Sequence, residues 1–395
     1  MSVTSQSYVV RSAGGPITLE TVHYDHIGER EMLVEMVAVS VCASDVKAAE
    51  GHFFTQPPMI LGHEGAGIVR QIGSRVSAFR PGDKVILHYS SCGKCAMCSS
   101  GQNPYCDSMV ELNFGGERGH VTDSESKQIN GVDVTDAVTT TNGATSPHAA
   151  VTEDGTPLRS FFFGQSSMGR HALVRDTSAV KVDATRDELK LFAALSCGIQ
   201  TGAGAVLNVC KPSPGAGFAI FGAGAVGLAA ALAAGMCAPA HVVVVDVSQD
   251  KLNTIPAGFA THTICSAGKK KGVVAAEIKE LTGGGVDFAI DCAGFGTVIV
   301  EGCAALKPRG MVVGVGGGAA EAPLVISDML LGGLIYRGTH QGDAVSNNFI
   351  PYLIKLWRSG KFPFDKLVHY YKMEDLTQVL DDLKNAKVIK PVLIS

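Results

Sequence analysis

The sequence predicts an α/β protein in which a doubly wound parallel sheet follows a β-rich part of the chain. The main observation is an alternation of β-branched and helical segments between residues 217 and 315, which is typical of parallel sheets covered by helices on both faces. The strands predicted there are Gly217–Phe221, His241–Asp246, Val286–Asp291 and Met311–Val315, and the helices are Ala225–Gly235 and Lys269–Leu281.

The two ends of the chain show different patterns. In the first hundred residues, short β-branched runs between glycines and prolines predict strands at Met32–Ser40, Gly67–Ile72 and Lys84–His88. From about Phe349 the pattern predicts an amphipathic helix, a Phe-Pro-Phe loop, another helix and a final strand at Val388–Leu393.

Composition limits the possible functions. The 395 residues suggest two or three domains, and a hydrophobic fraction of 46% supports a sizeable core. A net charge of -4 without a long basic run argues against nucleic acid as a partner. The uncharged stretch from Pro212 to Val245 is long enough to span a bilayer, but its glycines and prolines favour a buried βαβ unit over a membrane segment. No secretory signal begins the sequence, so we expect a cytoplasmic protein with reduced thiols.

A glycine-rich motif follows the first predicted strand of the parallel sheet. Gly222, Gly224 and Gly227 form G-x-G-x-x-G between that strand and a helix, and Asp246 ends the next strand 19 residues after Gly227. In this context the first glycine allows the tight turn, the second lets the backbone approach a pyrophosphate, and the third lets helix and strand pack. The sequence therefore predicts a Rossmann dinucleotide-binding unit.

Asp246 also indicates which dinucleotide binds. A carboxylate accepts hydrogen bonds from the ribose hydroxyls of NAD and repels the 2′-phosphate of NADP. No arginine lies between Arg186 and Arg309 to bind that phosphate, and Lys251, near the ribose or adenine side, does not outweigh the carboxylate. We therefore expect NAD.

Four cysteines close in sequence predict a metal site. Cys92, Cys95, Cys98 and Cys106 follow C-x2-C-x2-C-x7-C, which suits a closed, structural zinc site. An iron–sulfur cluster is the alternative, although the bacterial ferredoxin run continues with x3-C-P and this one does not.

A second candidate metal set is dispersed along the chain. Cys42, His63 and Cys197 would leave the fourth position on zinc for water or substrate. From spacing alone this set is a weak prediction, because an isolated cysteine or histidine is more often part of a core.

Together these motifs resemble the zinc-dependent medium-chain alcohol dehydrogenases over nearly the whole chain. The resemblance rests on Gly-His63-Glu64-Gly-Ala-Gly, the four cysteines, Cys197-Gly-x-x-Thr201 and the glycine fingerprint. Within that family the segments beginning at Gln341, Phe349, Gly360 and Ile389 are most similar to the aryl- (benzyl-) alcohol dehydrogenases.

The resemblance implies an architecture and an assembly. A GroES-like, β-rich catalytic domain would comprise residues 1–198 and 342–395, and a Rossmann domain would comprise residues 199–341. Each chain would hold two zinc ions and bind NAD, and the protein would be a homodimer or homotetramer.

The resemblance also implies roles for individual residues. Cys42, His63 and Cys197 would hold the catalytic zinc, with Glu64 adjacent to it and Asp45 orienting His63. Ser44 would take the proton of the alcohol. The cofactor contacts implied are Thr201 and the Val313-Gly-Val315 turn at the nicotinamide, and Lys390 near the pyrophosphate.

Three departures from the family pattern stand out. Lys47 replaces a histidine that completes a proton relay in many members, and it is either a relay amine or a solvated or phosphate-facing charge. Ala43 replaces an arginine that some members use on the pyrophosphate. The polar stretch from Asp107 to Ser160, which lacks periodicity, is expanded and forms either a lid or a surface loop.

The leading hypothesis is an NAD-dependent oxidoreductase that interconverts an aromatic or bulky alcohol with its aldehyde or ketone. A zinc-containing reductase of a conjugated C=C or iminium group is the second hypothesis, and His88 would then line the pocket or bind a polar group of the substrate. A non-catalytic NAD-binding or redox protein is the third, and the intact Cys42, His63 and Cys197 argue against it.

Overall fold

A computed structural model describes residues 3–52, 55–118, 148–318 and 321–395. In these residues the strands, numbered in chain order, are β1 Val3–Val10, β2 Ile17–Tyr24, β3 Glu31–Ser40, β4 Met59–Ile60, β5 Gly65–Ile72, β6 Lys84–Leu87, β7 Ala150–Thr152, β8 Pro157–Leu158, β9 His171–Arg175, β10 Ala179–Lys181, β11 Gly217–Phe221, β12 His241–Asp246, β13 His262–Cys265, β14 Val286–Asp291, β15 Leu306–Gly314, β16 Ile335–Gly338, β17 Val368–Lys372 and β18 Lys390–Ile394.

The α-helices of the same residues are α1 Ala43–Ala49, α2 Ala96–Ser99, α3 Met109–Phe114, α4 Arg186–Phe192, α5 Gly198–Gly204, α6 Ala225–Gly235, α7 Gln249–Asn253, α8 Val273–Thr282, α9 Gly296–Ala305, α10 Ile326–Gly332, α11 Ser346–Arg358 and α12 Leu376–Lys384. A π-helical segment, Ala205–Cys210, continues α5. Short 3-10 segments are Asn103–Tyr105, Phe162–Gly164, Asp176–Ser178, Ala193–Ser196, Gln341–Asp343, Phe364–Leu367 and Met373–Asp375.

Two sheets form the β-rich part. One has the order β4-β1-β2-β7-β8, and the other has the order β10-β6-β5-β3-β18-β17 with β9 also paired to β3. Strand β18 from the end of the chain runs antiparallel to β3, with Val392 opposite Ser40. The C-terminal segment therefore returns to the sheet built by the first hundred residues.

The third sheet is parallel throughout and has the order β13-β12-β11-β14-β15-β16. The order reverses between β11 and β14, and Phe221 at the end of β11 lies opposite both Val245 and Asp291. In open α/β sheets, ligands bind outside the carboxyl ends of the strands at such a reversal. The segment after β11 is the glycine fingerprint.

The predicted fold class is confirmed, and the bounds of β11, α6, β12 and β14 match the sequence prediction. The helix expected at Lys269–Leu281 begins later, at Val273, because Gly272 takes a φ of +85° and the lysines before it form a turn. The apolar stretch Pro212–Val245 contains β11, α6 and β12, as the βαβ interpretation requires.

The prediction of a structureless segment over 107–160 is wrong at both ends. Helix α3 and the short strands β7 and β8 lie there, and Arg159 N donates to Pro58 O at 3.0 Å. Residues 119–147, the middle of that segment, lie outside the described residues. The prediction that this segment forms either a lid or a surface loop falls mainly on those residues.

No single helix in the described ranges is long and apolar enough to cross a membrane. One bent pair, Arg186–Ser196 with Gly198–Cys210, meets those criteria by length and composition only.

Candidate active site and metal centres

The four cysteines between residues 92 and 106, here called the cysteine lobe, converge as the spacing predicts. Their sulfurs lie within 4.8 Å of one another, with Cys92 Sγ 3.9 Å from Cys98 Sγ and Cys95 Sγ 4.0 Å from Cys106 Sγ. Tetrahedral zinc with Zn–S bonds of about 2.3 Å places its sulfurs roughly 3.8 Å apart. The lobe therefore fits a closed zinc site.

Backbone N–H groups donate hydrogen bonds to sulfurs of the cysteine lobe. Cys95 N lies 3.3 Å from Cys92 Sγ, and Cys92 N lies 3.2 Å from Cys106 Sγ. Although burial acts in the opposite direction, hydrogen bonds from the backbone of Asp107 and Cys98 lower the pKa of Cys95 to about 7. Such donors stabilise thiolates, which are the form that binds metal, whereas burial raises the pKa of Cys98 and Cys106.

The second set, here called the mixed cluster, consists of Cys42, His63, Glu64 and Cys197, whose ligand atoms also lie within 4.8 Å of one another. Cys42 precedes α1, His63 and Glu64 precede β5, and Cys197 precedes α5. Three separate parts of the chain thus meet at one point, which the sequence spacing predicted only weakly.

His63 is held in the orientation that a metal ligand needs. Its Nδ1 lies 3.0 Å from Asp45 Oδ1, and its ring stacks on Phe163 with centroids 4.6 Å apart. His63 Nε2 is buried and has no hydrogen-bond partner among the described residues. Because an unpaired buried nitrogen is costly, a metal at this atom is the arrangement that satisfies it.

Asp45 also organises the loop around His63. One carboxylate oxygen accepts from Gly62 N at 3.1 Å, and the other accepts from Cys42 N at 3.0 Å. Burial lowers the pKa of His63, but the charge of Asp45 and the hydrogen bond with it raise that pKa by more than burial lowers it. The net effect is a raised pKa.

The two cysteines of the mixed cluster have opposite tendencies to ionise. Their mutual hydrogen bond lowers the pKa of Cys42 well below its ordinary value and raises that of Cys197. One thiolate therefore forms readily, and the second proton is the one that a metal would have to displace.

Glu64 and Lys390 form a fully buried ion pair beside the cysteines. Glu64 is 0% exposed and Lys390 1% exposed, and Glu64 Oε1 also accepts from Gly198 N at 3.1 Å. Burial raises the pKa of Glu64, while Lys390 opposes that effect. A Cβ added at Gly198 would lie 3.6–3.7 Å from Val226 Cγ2, Ala225 Cβ and Lys390 Nζ, so the ammonium lies close to the N-terminus of α6.

The three fingerprint glycines lie in different surroundings. Gly222 has a φ of +109°, which favours glycine, and a Cβ on Gly227 would lie 1.8 Å from Gly222 O. A Cβ on Gly224 would meet nothing within 4 Å, so the space in front of the first turn of α6 is open. An open helix N-terminus with free N–H groups suits a pyrophosphate.

Asp246 lies at the end of β12, beside this turn. Its two carboxylate oxygens accept from Ala223 N at 2.7 Å and from Ser248 N at 2.9 Å, and the residue is 8% exposed. Each oxygen retains a further lone pair for a ribose hydroxyl.

Other predicted residues lie around the same cleft. Ser44 is a partly exposed residue in the first turn of α1, and Lys47 Nζ, one turn later, donates to Gly317 O at 2.8 Å. Lys251, in α7 after β12, is also partly exposed. Thr201 Oγ1, in α5, donates to Gln341 Oε1 at 3.4 Å.

The two valines of the predicted nicotinamide turn differ in burial. Val313 is 0% exposed because its side chain packs into the hydrophobic core on a face of the parallel sheet. Val315, just beyond the strand, is the partly exposed member of that pair.

His88 does not present a free ring to a substrate. It is buried, with Nδ1 2.7 Å from Tyr89 O and Nε2 3.1 Å from Asn347 Oδ1. Because both ring nitrogens already have hydrogen-bond partners, these contacts favour the interpretation of His88 as part of the pocket wall.

Three glutamines contribute contacts that the sequence analysis missed. Gln341 Nε2 donates to Cys197 Sγ at 3.7 Å, and Gln165 Nε2 donates to His63 O at 2.9 Å. Gln200 Nε2 donates to Gln341 Oε1 at 3.2 Å. Gln341 was noted only for a family resemblance, and no spacing rule singles out any of the three.

Comparisons with known proteins identify the family. Residues 28–132 match the family model "Alcohol dehydrogenase GroES-like domain", and residues 225–358 match "Zinc-binding dehydrogenase". Geraniol dehydrogenase from Castellaniella defragrans is 36% identical over 99% of this chain and 98% of its own length.

Solved structures give the same result. An alcohol dehydrogenase zinc-binding domain protein from Burkholderia ambifaria has a TM-score of 0.88 and 36% identity, covering 100% of this chain and 99% of its own. Benzyl alcohol dehydrogenase from Acinetobacter calcoaceticus has a TM-score of 0.85 and 33% identity, covering 99% of each chain. The chain therefore belongs to the zinc-dependent medium-chain alcohol dehydrogenase family.

Proposed function

We propose that this protein is an NAD-dependent zinc alcohol dehydrogenase that interconverts an aromatic or bulky alcohol with its aldehyde or ketone. The observation that carries the proposal is the mixed cluster, in which two cysteines and the unpaired His63 Nε2 converge beside the dinucleotide crevice. The two are adjacent because α5, which follows Cys197, packs closely on α6, and a Cβ on Gly202 would lie 2.0 Å from Val226 O.

Cys42, His63 and Cys197 would hold the catalytic zinc, and the four cysteines of the cysteine lobe would hold a structural zinc. When bound at the mixed cluster, zinc supplies a Lewis acid that lowers the pKa of a hydroxyl or polarises a carbonyl, while NAD accepts or returns the hydride. Asp45 keeps the Nδ1 proton on His63, so that Nε2 is the nitrogen free to act as a ligand.

The glycines of the fingerprint and Asp246 would hold NAD by the pyrophosphate and the adenosine ribose. The buried Asp246 carboxylate supports a preference for NAD, because the 2′-phosphate of NADP would add a like charge beside it. Thr201 and the Val313-Gly-Val315 turn would border the nicotinamide, and Lys251 would lie on the adenosine side. Lys390 would reach the pyrophosphate only if it released part of its contact with Glu64.

Ser44 would receive the substrate proton, and its position in the first turn of α1, two residues after Cys42, supports this role. Lys47 is engaged by Gly317 O, which supports a positioning role over a relay. The proton would then pass from Ser44 to solvent through water.

The substrate class is supported by two relatives whose names identify them as benzyl alcohol and geraniol dehydrogenases, at 33% and 36% identity. Both names describe an alcohol next to an unsaturated or aromatic group. The alternatives of a C=C or iminium reductase and of a non-catalytic protein have no observation in their favour.

Counting metals tests the catalytic assignment. We expect two zinc ions in the intact protein and one in Cys42→Ser, with kcat lower by roughly 10³-fold or more because the Lewis acid is lost. Cys237→Ser is a matched control, since Cys237 lies outside both clusters, and it should keep two zinc ions and full activity. One zinc in the intact protein would overturn the assignment.

A substrate panel tests the reaction. With NADH we expect turnover of benzaldehydes and of conjugated aldehydes at the carbonyl, with lower kcat/KM for short aliphatic aldehydes. Reduction of conjugated aldehydes at the double bond alone would replace the proposal with the C=C reductase.

The domain boundaries and the assembly are also proposals. Residues 1–198 and 342–395 would form the catalytic domain, since β18 joins β3, and residues 199–341 would form the Rossmann domain. A homodimer or homotetramer is supported by exposed apolar side chains on α10 and on β16 at the edge of the parallel sheet, among them Ile326, Leu330, Leu331 and Ile335. A reducing, cytoplasmic location would keep the cysteine ligands as thiols.

A further inference from the structure

The segment Gln341–Asp343 has an unusual backbone beside the mixed cluster. Its three residues have consecutive positive φ values of 53°, 64° and 51°, and only the middle one is glycine. Left-handed conformations are unfavourable for glutamine, and they persist only where the surrounding structure holds them. Such segments concentrate at functional sites, so the contacts that hold this one are informative.

On one side, the segment is held by α5. A Cβ on Gly342 would lie 2.5 Å from Thr201 O, and a Cβ on Gly204 would lie 2.3 Å from Gly342 O, so the two backbones are in direct contact. The Gln341 side chain lies against the same helix, where its oxygen accepts from Gln200 and Thr201 and its amide donates to Cys197 Sγ at 3.7 Å.

On the other side, the segment is held by the cysteine lobe. Tyr105, which immediately precedes the ligand Cys106, donates to Asp343 Oδ1 at 2.6 Å. Asp343 also accepts from Thr339 Oγ1 at 2.5 Å and from Arg337 at 2.6 Å. His340 N donates to Tyr105 Oη at 3.3 Å, so backbone and side chain are both attached to the lobe.

We propose that Gln341 is a positioning residue for the Cys197 thiolate, and that Tyr105 of the cysteine lobe, through Asp343, sets the backbone that places it there. The inference rests on the proposed function, because it assumes that Cys197 binds a metal. On this proposal the cysteine lobe has a role beyond local stability, because Tyr105, Asp343 and Gln341 connect the closed metal site to the open one.

The physical effect is on the electron density of sulfur. A hydrogen bond to a ligating thiolate lowers the energy of the sulfur electrons, so sulfur-to-metal charge transfer needs a higher photon energy. Groups that contact metal ligands in this way commonly change metal affinity by about 10- to 100-fold.

Cobalt(II) provides a readout that is independent of turnover. We would exchange cobalt into the full-length protein and subtract the spectrum of cobalt-loaded Cys42→Ser, which reports the cysteine lobe alone. In Gln341→Met, which keeps the length of the side chain but removes the donor, the charge-transfer band of the mixed cluster should move to longer wavelength. Its metal should also be lost to a chelator about tenfold faster.

Tyr105→Phe tests the connection to the lobe, and it should produce a smaller shift in the same direction. The chain offers matched controls in Gln378→Met and Tyr371→Phe, whose side chains hydrogen-bond to the buried Asp382 and belong to neither metal cluster. Both controls should leave the band unchanged.

An unchanged band in Gln341→Met would overturn the role of Gln341, and an unchanged band in Tyr105→Phe would overturn the connection to the lobe. Failure of cobalt to bind the mixed cluster of the parent protein would instead overturn the proposed function. Circular dichroism of each variant separates these results from loss of fold.

Discussion

The two metal clusters of this protein are built in opposite ways. All four ligands of the cysteine lobe lie within residues 92–106, and backbone N–H groups of the same loop lie next to their sulfurs. The mixed cluster takes its members from residues 42, 63, 64 and 197, which lie directly before α1, β5 and α5. The first is a local structure, whereas the second exists only when the sheets are assembled.

The charges around the two clusters differ as well. The mixed cluster contains the buried carboxylate of Glu64 and is bordered by the buried Asp45 and Lys390, while the cysteine lobe relies on backbone dipoles and is partly exposed. Burying charge is costly unless it is paired, so a protein keeps it where chemistry needs it. The comparison indicates that the lobe contributes stability and the mixed cluster contributes reactivity.

The largest expected effect is on stability, from Cys106→Ser. Structural zinc sites contribute on the order of 10 kcal/mol to folding, so losing this one should lower Tm by at least about 10 °C. Differential scanning calorimetry with a zinc assay would measure both changes. Cys42→Ser, which also removes one zinc, should lower Tm by less than half as much. An equal decrease of Tm in the two variants would contradict the view that the cysteine lobe contributes more to stability than the mixed cluster does.

The second effect concerns the buried pair. Lys390→Met leaves the Glu64 carboxylate buried without its partner, and we expect the free energy of unfolding to fall by about 3–5 kcal/mol, as measured by urea denaturation. The double variant Glu64→Gln with Lys390→Met removes both charges and should recover most of that loss.

The exposed pair of Lys190 with Asp187, at 2.7 Å, is the matched control. Lys190→Met should cost less than about 1 kcal/mol, because water screens an exposed pair. If Lys390→Met and Lys190→Met lowered the free energy of unfolding equally, the buried ion pair beside the mixed cluster would be no different from an exposed one.

The same contrast explains what the sequence could predict. The cysteine lobe is predictable from spacing because its ligands are neighbours in sequence. Strand β11 and helix α6 are predictable because the glycine fingerprint lies between them, and β12 is predictable because a run of valines ends at Asp246. Cys42, His63 and Cys197 are isolated residues, and only tertiary structure brings them together. Gln341 carried no signal of its own, since its position depends on left-handed backbone that Tyr105 and α5 impose from elsewhere.

The smallest expected effect is on the KM for NAD and comes from Lys47, an exposed residue of α1, the helix that follows Cys42. Its ammonium donates to Gly317 O, so it joins α1 to the loop that follows β15. A hydrogen bond of this kind contributes about 0.5–1.5 kcal/mol, so Lys47→Ala should raise KM for NAD by roughly 2- to 10-fold while the pH profile of kcat stays the same.

Lys47→Gln decides between the two interpretations of this residue, because an amide still donates a hydrogen bond but does not carry a proton to solvent. If Lys47 positions the loop, Lys47→Gln should keep most of the parent affinity for NAD, and steady-state kinetics across pH should show parallel profiles for all three proteins. If Lys47 were a relay, Lys47→Gln and Lys47→Ala would both lose kcat at low pH, where proton release from the alcohol limits the rate. That result would extend the reactive region from the mixed cluster, through Ser44, to the surface of α1.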